Sequence, residues 1–286
     1  MKRVQVPSME GRVVLITGAN TGIGRVTAHE LAQAGAHVVM ACRSAERTEP
    51  VVAEIRAATG NDKVEYVPLD LGSLDSVRSC AETFLARDLP LHLFIANAGI
   101  AGTKGLTKDG FELAWGVNHL GHFLLTHLLL DRIKESAPAR IVIVASKGHR
   151  KVDGVRLDRK ERPTSTWSGF PEYCESKVAN IFFARELGRR LEGSGVTTYS
   201  LHPGVVASDV WRKVPWPIRP LMKLRMITNE EGAQTTLYCA TDPGLSDETG
   251  KYYDECRLAS PFPPATDDRL CQEVWDRSMK WVGLEA

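Results

Sequence analysis

From Arg12 to about Val144 the chain alternates short runs of β-branched and apolar residues with longer segments whose apolar residues recur at helical spacing. A strand that is apolar at nearly every position has to be covered on both faces, which calls for helices above and below a parallel sheet. Candidate strands are Val13 to Thr17, His37 to Ala41, Val64 to Leu69, His92 to Ala96, Arg140 to Ala145 and Val196 to His202. Helical segments lie at 22–34, 44–59, 73–87, 109–135 and 171–193, with Ser44 and Ser73 as N-caps. The order predicts an α/β fold with a doubly wound parallel sheet and helices on both faces. Two irregular stretches, 147–170 and 203–228, follow strand C-termini, where ligands sit in open α/β sheets.

The first strand runs directly into Gly18-Ala-Asn20-Thr21-Gly22-Ile23-Gly24 and then a helix. The spacing is G-x-x-x-G-x-G rather than G-x-G-x-x-G, but the physical requirement is shared. A tight turn brings the backbone close to a pyrophosphate, and helix N-terminal amides face its charge. This makes the fold Rossmann-type. No linker or composition shift divides it, so a single domain is expected over 1–286, with a nucleotide-binding half at about 10–145 and a catalytic and substrate-binding part at about 146–286. An acidic residue at the end of the second strand would bind a ribose 2′-hydroxyl. Here that position reads Met40-Ala-Cys-Arg43, with no carboxylate. A guanidinium can form charge-assisted bonds to a 2′-phosphate, so Arg43 favours NADP(H) over NAD(H).

Composition removes other classes. With 36 Lys and Arg against 35 Asp and Glu, the net charge of +1 gives no global field for gripping nucleic acid. The six cysteines are scattered without C-x-x-C or metal-ligand spacing, which implies a reducing compartment and no metal. The chain contains no apolar run long enough to span a bilayer, and Met1 to Glu10 lacks the apolar core of a signal peptide.

With Asn97-Ala98-Gly99 after the fourth strand, Ser146 after the fifth and Tyr173-x-x-x-Lys177, the ordered motifs resemble the short-chain dehydrogenase/reductase family across nearly the whole chain. Met40-Ala-Cys-Arg43, Val117-Asn118-His-Leu-Gly-His-Phe-Leu-Leu-Thr126, Tyr173-Cys-Glu-Ser-Lys-Val-Ala-Asn180 and His202-Pro-Gly-Val205 look like its retinol dehydrogenase branch. The resemblance implies NADP(H)-dependent chemistry on retinoids and other lipophilic carbonyls, with Asn118, Ser146, Tyr173 and Lys177 as catalytic residues. It implies adenine contacts from Asp70 and Leu71, packing of Asn97 behind the nucleotide, and nicotinamide contacts from Pro203, Gly204, Val205 and Ser208. It also implies association through the helices at 109–135 and 171–193. The chain departs from the family at three points. It begins nearly at its first strand where relatives begin with a membrane-anchoring segment, Ala96 replaces the first Asn of Asn-Asn-Ala-Gly, and Ala145 the first Ser of Ser-Ser.

Carbonyl reduction needs an acid that protonates the developing alkoxide, and Tyr173 supplies a phenol. Its ordinary pKa of about 10 is too high for efficient exchange near neutrality, so Lys177, one helical turn on, is expected to favour phenolate. Lys177 also contacts the nicotinamide ribose by resemblance, Ser146 would hold the substrate oxygen, and Asn118 would anchor a water linking Lys177 to solvent. Trp167, Phe170 and Trp211 are candidate substrate contacts. Segment 210–227 mixes tryptophans, leucines and methionines with five basic residues and no acid, which suits a lid over a greasy substrate or contact with an anionic bilayer. The expected setting is the cytoplasmic face, peripheral to the endoplasmic reticulum membrane. Steroid or lipid-aldehyde reduction, and a nucleotide-binding scaffold with little turnover, are the alternatives; a scaffold would need the glycine loop but not the tetrad. His119 and His122 suggest packing rather than metal ligation, and Ser146 with His149 lacks the nucleophile elbow of a hydrolase.

Overall fold

No position of β1 (Val13–Thr17) is exposed. Val13 and Leu15 join one hydrophobic core while Val14 and Ile16 join another. Side chains of a strand point alternately to opposite faces, so a wholly apolar strand here means two covered faces. The computed structural model describes residues 3–205 and 227–284. After β1 come β2 (His37–Cys42), β3 (Val64–Pro68), β4 (Leu93–Ala96), β5 (Ala139–Val144), β6 (Val196–His202), β7 (Lys251–Asp254) and β8 (Arg257–Ala259). They form one sheet in the order β3-β2-β1-β4-β5-β6-β7-β8. All neighbouring pairs are parallel except β7 and β8.

The helices are α1 (Gly22–Gln33), α2 (Ala45–Thr59), α3 (Leu74–Leu85), α4 (Leu113–Trp115), α5 (Gly121–Glu135), α6 (Phe170–Arg190), α7 (Asn229–Thr241) and α8 (Asp268–Trp281). Apolar residues of α3, α5, α6 and α8 fill one core, and those of α1, α2 and α7 the other. Ser44 and Ser73 cap α2 and α3 as their positions imply, accepting from the backbone N–H of Arg47 and Ser76. Because the chain returns from β3 to the far side of β1, strand order reverses between β1 and β4, and the crevice at their C-terminal ends is where such sheets bind ligands.

Three features go beyond the sequence pattern. The segment expected to be one helix over 109–135 starts at Leu113 and passes through a π-helical stretch, Gly116–Leu120, before α5. The parallel sheet acquires an antiparallel edge because Glu255 and Cys256, both at positive φ, form a two-residue loop that turns β7 back into β8. The third is the placement of α8 on the outer side of α5 and α6. Trp275 lies 5.1 Å from Phe123, 5.3 Å from His127 and 6.0 Å from Phe183, with the Arg190 guanidinium 4.4 Å from its ring centre.

Candidate active site

The glycine turn is wired to β4. Asn97 donates from its side chain to the carbonyls of Thr17 at 2.9 Å and Gly18 at 3.3 Å. The hydroxyl of Thr17 accepts the N–H groups of Asn97 and Ala98, each at 3.0 Å. Gly18 has φ +65°, and a Cβ on it would come within 2.8 Å of Ala98 Cβ. On Gly24 a Cβ would lie 2.5 Å from both Asn97 Nδ2 and Gly18 O, so the absent side chain lets α1 seat against the strand ends. Asn20, Thr21, Gly22 and Ile23 are left at least partly exposed along the turn. A tight glycine turn, a close backbone and a twelve-residue helix opening at the crevice fit a dinucleotide pyrophosphate.

Arg43 is exposed where β2 ends, clear of the cap that Ser44 makes. Asp70 Oδ1 accepts the N–H of Gly72 at 3.0 Å, while Ser73 caps α3, so Asp70 shapes the turn ahead of the cap. Leu71 is buried in the core, with both its carbonyl and its side chain packed against Gly121.

Lys177 Nζ donates to Val144 O at 2.9 Å and lies 5.7 Å from the centre of the Tyr173 ring. The one-turn spacing on α6 therefore brings the two together, at the end of β5 where Ser146 follows. Ser146 interacts with the Tyr173 hydroxyl. Gly148 makes that approach feasible: a Cβ there would lie 3.3 Å from the Tyr173 ring and 3.4 Å from Ser146 Oγ. Gly99 plays a similar part, for a Cβ would lie 3.3 Å from Asn118 Oδ1 and 3.5 Å from Lys177 Nζ. Asn118, in the π-helical stretch, uses its side chain to accept from Ile100 N at 2.8 Å and to donate to Ile100 O and Ser176 Oγ, each at 3.0 Å. Ser146, Tyr173, Lys177 and Asn118 thus converge on one end of the crevice.

Residues 12–156 match the family model for short chain dehydrogenase. The chain belongs to the short-chain dehydrogenase family. Human retinol dehydrogenase 11 is 46% identical over 285 residues, covering 98% of this chain and 88% of its own. Dehydrogenase/reductase SDR family member 13 of Bos taurus is also 46% identical over 285 residues, covering 97% of this chain and 74% of its own. Among solved structures, an uncharacterized protein from Mycobacterium Paratuberculosis superposes with a TM-score of 0.79 at 32% identity, covering 98% of this chain and 97% of that one. As a member of this family the chain is an oxidoreductase that uses a nicotinamide dinucleotide.

Burial shifts the two titratable groups at this end of the crevice in opposite directions. Burial pushes the Tyr173 phenol up to about 12, opposed by its hydrogen bond with Ser146. Burial also pushes the Lys177 ammonium down to about 7. Desolvation thus favours a neutral phenol at Tyr173 and weakens the hold of Lys177 on its own proton. Asn118 is occupied as a brace for Ile100 and Ser176, and its carbonyl accepts from His122 Nδ1 at 3.0 Å.

Phe170 stacks on Tyr173 with centroids 5.9 Å apart, whereas Trp167 is 89% exposed. Glu172 accounts for part of that geometry by accepting the N–H groups of Ser165 and Thr166, which fold the loop before α6. Pro203 and Gly204 follow β6, and Val205 O accepts from Ile227 N at 3.0 Å. Ser208, Trp211 and all of 210–227 except Ile227 lie outside the described residues. His119 bonds Ser278 Oγ on α8, and His122 Nε2 meets the Thr17 hydroxyl at 2.8 Å, so both are internal links. His202, part of a resemblance stretch but given no role from the sequence, accepts from Lys147 N at 3.2 Å and helps hold the Ser146 loop. Its position immediately before Pro203-Gly204 was the available signal. Among the described residues no helix is long and apolar enough to cross a membrane.

Proposed function

We propose that this protein is an NADP(H)-dependent oxidoreductase that transfers a hydride between nicotinamide and a lipophilic alcohol or carbonyl, with retinol and retinal as the substrate pair. The observation that carries the reading is identity of 40–46% to relatives named as retinol dehydrogenases, over nearly the whole chain. The convergence of Ser146, Tyr173 and Lys177 at one end of the crevice supports it. The exposed Arg43 at the end of β2, with no acidic neighbour before α2 begins, supports the 2′-phosphorylated cofactor. The cofactor supplies or accepts the hydride. Ser146 donates a hydrogen bond to the substrate oxygen and Tyr173, held neutral by burial, gives its proton to the developing alkoxide. Lys177, whose hold on its proton burial weakens, would resupply Tyr173, with Asn118 anchoring the water that links Lys177 to solvent.

Pro203, Gly204, Val205 and Ser208 would border the nicotinamide, and Asn97, Ala98 and Gly99 would back the nucleotide. Phe170, Trp167 and Trp211 remain candidate apolar contacts. Contact of 210–227 with the cytoplasmic face of the endoplasmic reticulum would deliver a lipophilic substrate to that side. Self-association through 109–135 and 171–193 would have to use surface that α8 leaves open. A second reading, reduction of steroids or lipid aldehydes, is favoured by the equal 46% identity to a relative whose name specifies no retinoid. A panel of all-trans-retinal, a keto-steroid and a long-chain aldehyde, each with NADPH in dilute detergent, separates the two. Highest kcat/KM on retinal supports the first reading; turnover of the others without retinal replaces it with the second.

A further inference from the structure

Asn118 is held in a helical segment, and Tyr173 and Lys177 on α6, but Ser146 stands in the loop between β5 and a short 3-10 turn. Its place must be set by other contacts. Ser146 Oγ accepts the N–H of Gly148 at 3.0 Å. Its carbonyl lies 2.6 Å from His149 Nδ1, and on the other side of the same ring Phe262 N lies 3.1 Å from Nε2. A carbonyl can only accept and a backbone amide can only donate. One form of the imidazole satisfies both, the neutral ring protonated at Nδ1. His149 is fully buried, with Tyr252 edge-on at 5.4 Å, and burial lowers its affinity for a second proton. Arg150 adds a second link to the same segment, its guanidinium 4.1 Å from the centre of the Phe262 ring. His202 steadies the next residue, accepting from Lys147 N at 3.2 Å.

We infer that His149 is a positioning residue: the Phe262 N–H selects its tautomer, and the Nδ1–H so fixed holds the Ser146 carbonyl and thereby aims the Ser146 hydroxyl toward Tyr173. This rests on Ser146 acting on the substrate oxygen as proposed above. The relation of Ser146 to His149 is thus backbone support, with the imidazole donating to the carbonyl and taking no proton from the hydroxyl. The segment around Phe262, 113 residues further along the chain, becomes part of what shapes the active site.

The two ring nitrogens can be separated by substitution. His149→Asn keeps a donor where Nδ1 stands, His149→Gln keeps a polar reach toward Phe262 but not that donor, and His149→Ala keeps neither. Steady-state reduction of a carbonyl with NADPH should show kcat reduced about ten- to a hundredfold in His149→Ala and His149→Gln. In His149→Asn it should recover most of the loss, with KM for NADPH little changed throughout. In the wild-type protein, ¹⁵N-detected imidazole shifts at neutral pH should report Nδ1–H. Wild-type kcat in His149→Ala, equal loss in folded His149→Asn and His149→Gln, or an Nε2–H tautomer overturns the inference. If His149→Ala does not fold, the Asn and Gln pair decides. Absence of carbonyl turnover by the wild-type protein would instead count against the proposed function, and the tautomer measurement would still judge the His149 arrangement.

Discussion

Lys177→Met should make the protein more stable while removing its activity. The lysine is 3% exposed, and burial lowers its ammonium from the ordinary 10.5 to about 7. At about 1.4 kcal/mol per tenfold change in proton affinity, keeping it charged in the fold costs about 5 kcal/mol. Methionine fills similar space without the charge. The lost bond to Val144 O is worth about 1 kcal/mol, and that carbonyl still accepts from Asn180 Nδ2 at 3.1 Å, so no buried acceptor is orphaned. The expected net gain at pH 7 is about 4 kcal/mol. The sign of the pH dependence follows from the lowered value: between about 7 and 10.5 the unfolded chain holds the proton that the folded chain has released, so wild-type stability rises with pH across that window. The advantage of the variant should be largest at and below pH 7 and shrink toward pH 9.5. Urea unfolding of both proteins at pH 6, 7, 8 and 9.5 measures it. A variant no more stable than wild type at pH 7, or one whose advantage is the same at every pH, would refute the reasoning.

Two other outcomes are expected. Arg43→Asp should weaken NADPH binding by about tenfold or more while leaving NADH binding nearly unchanged, as read by fluorescence titration; equal loss of both would remove Arg43 from the 2′-phosphate. Trp275→Ala should destabilise by about 3–5 kcal/mol, because the ring is 5% exposed and seated among Phe123, His127 and Phe183. Chemical unfolding measures this, and a loss under about 1 kcal/mol would mean that α8 adds little to the core.

The strands from Val13 to His202 were legible because burial on two faces writes itself as uninterrupted apolar runs, and the caps at Ser44 and Ser73 because their chemistry is local. The β7–β8 hairpin was not, since Glu255 and Cys256 adopt the positive φ that usually announces itself as Asn-Gly. The start of α7 is written locally as well, in the capping box from Thr228 to Glu231. Helix α8 is also locally legible, with Asp267 capping it through Leu270 N, but its seat is not, because the residues that Trp275 meets belong to helices far earlier in the chain.

At the site, the one-turn spacing of Tyr173 and Lys177 conveyed their proximity but not their proton affinities, which depend on how thoroughly the assembled fold excludes water. Trp167, apolar and near Tyr173 in sequence, lies at the surface because the loop before α6 folds around Glu172. His149 could be noticed beside Ser146, but its meaning required Phe262, whose approach only the folded sheet creates.

The most direct test of the account pairs all-trans-retinal with NADPH and with NADH, using the wild-type protein and Tyr173→Phe, and follows retinol formation alongside cofactor binding. The account predicts NADPH-selective retinol formation by the wild-type protein, and none by Tyr173→Phe while its NADPH affinity stays within a few fold. Retinol formation that survives Tyr173→Phe, or wild-type protein that binds NADPH yet reduces no retinal, would contradict it.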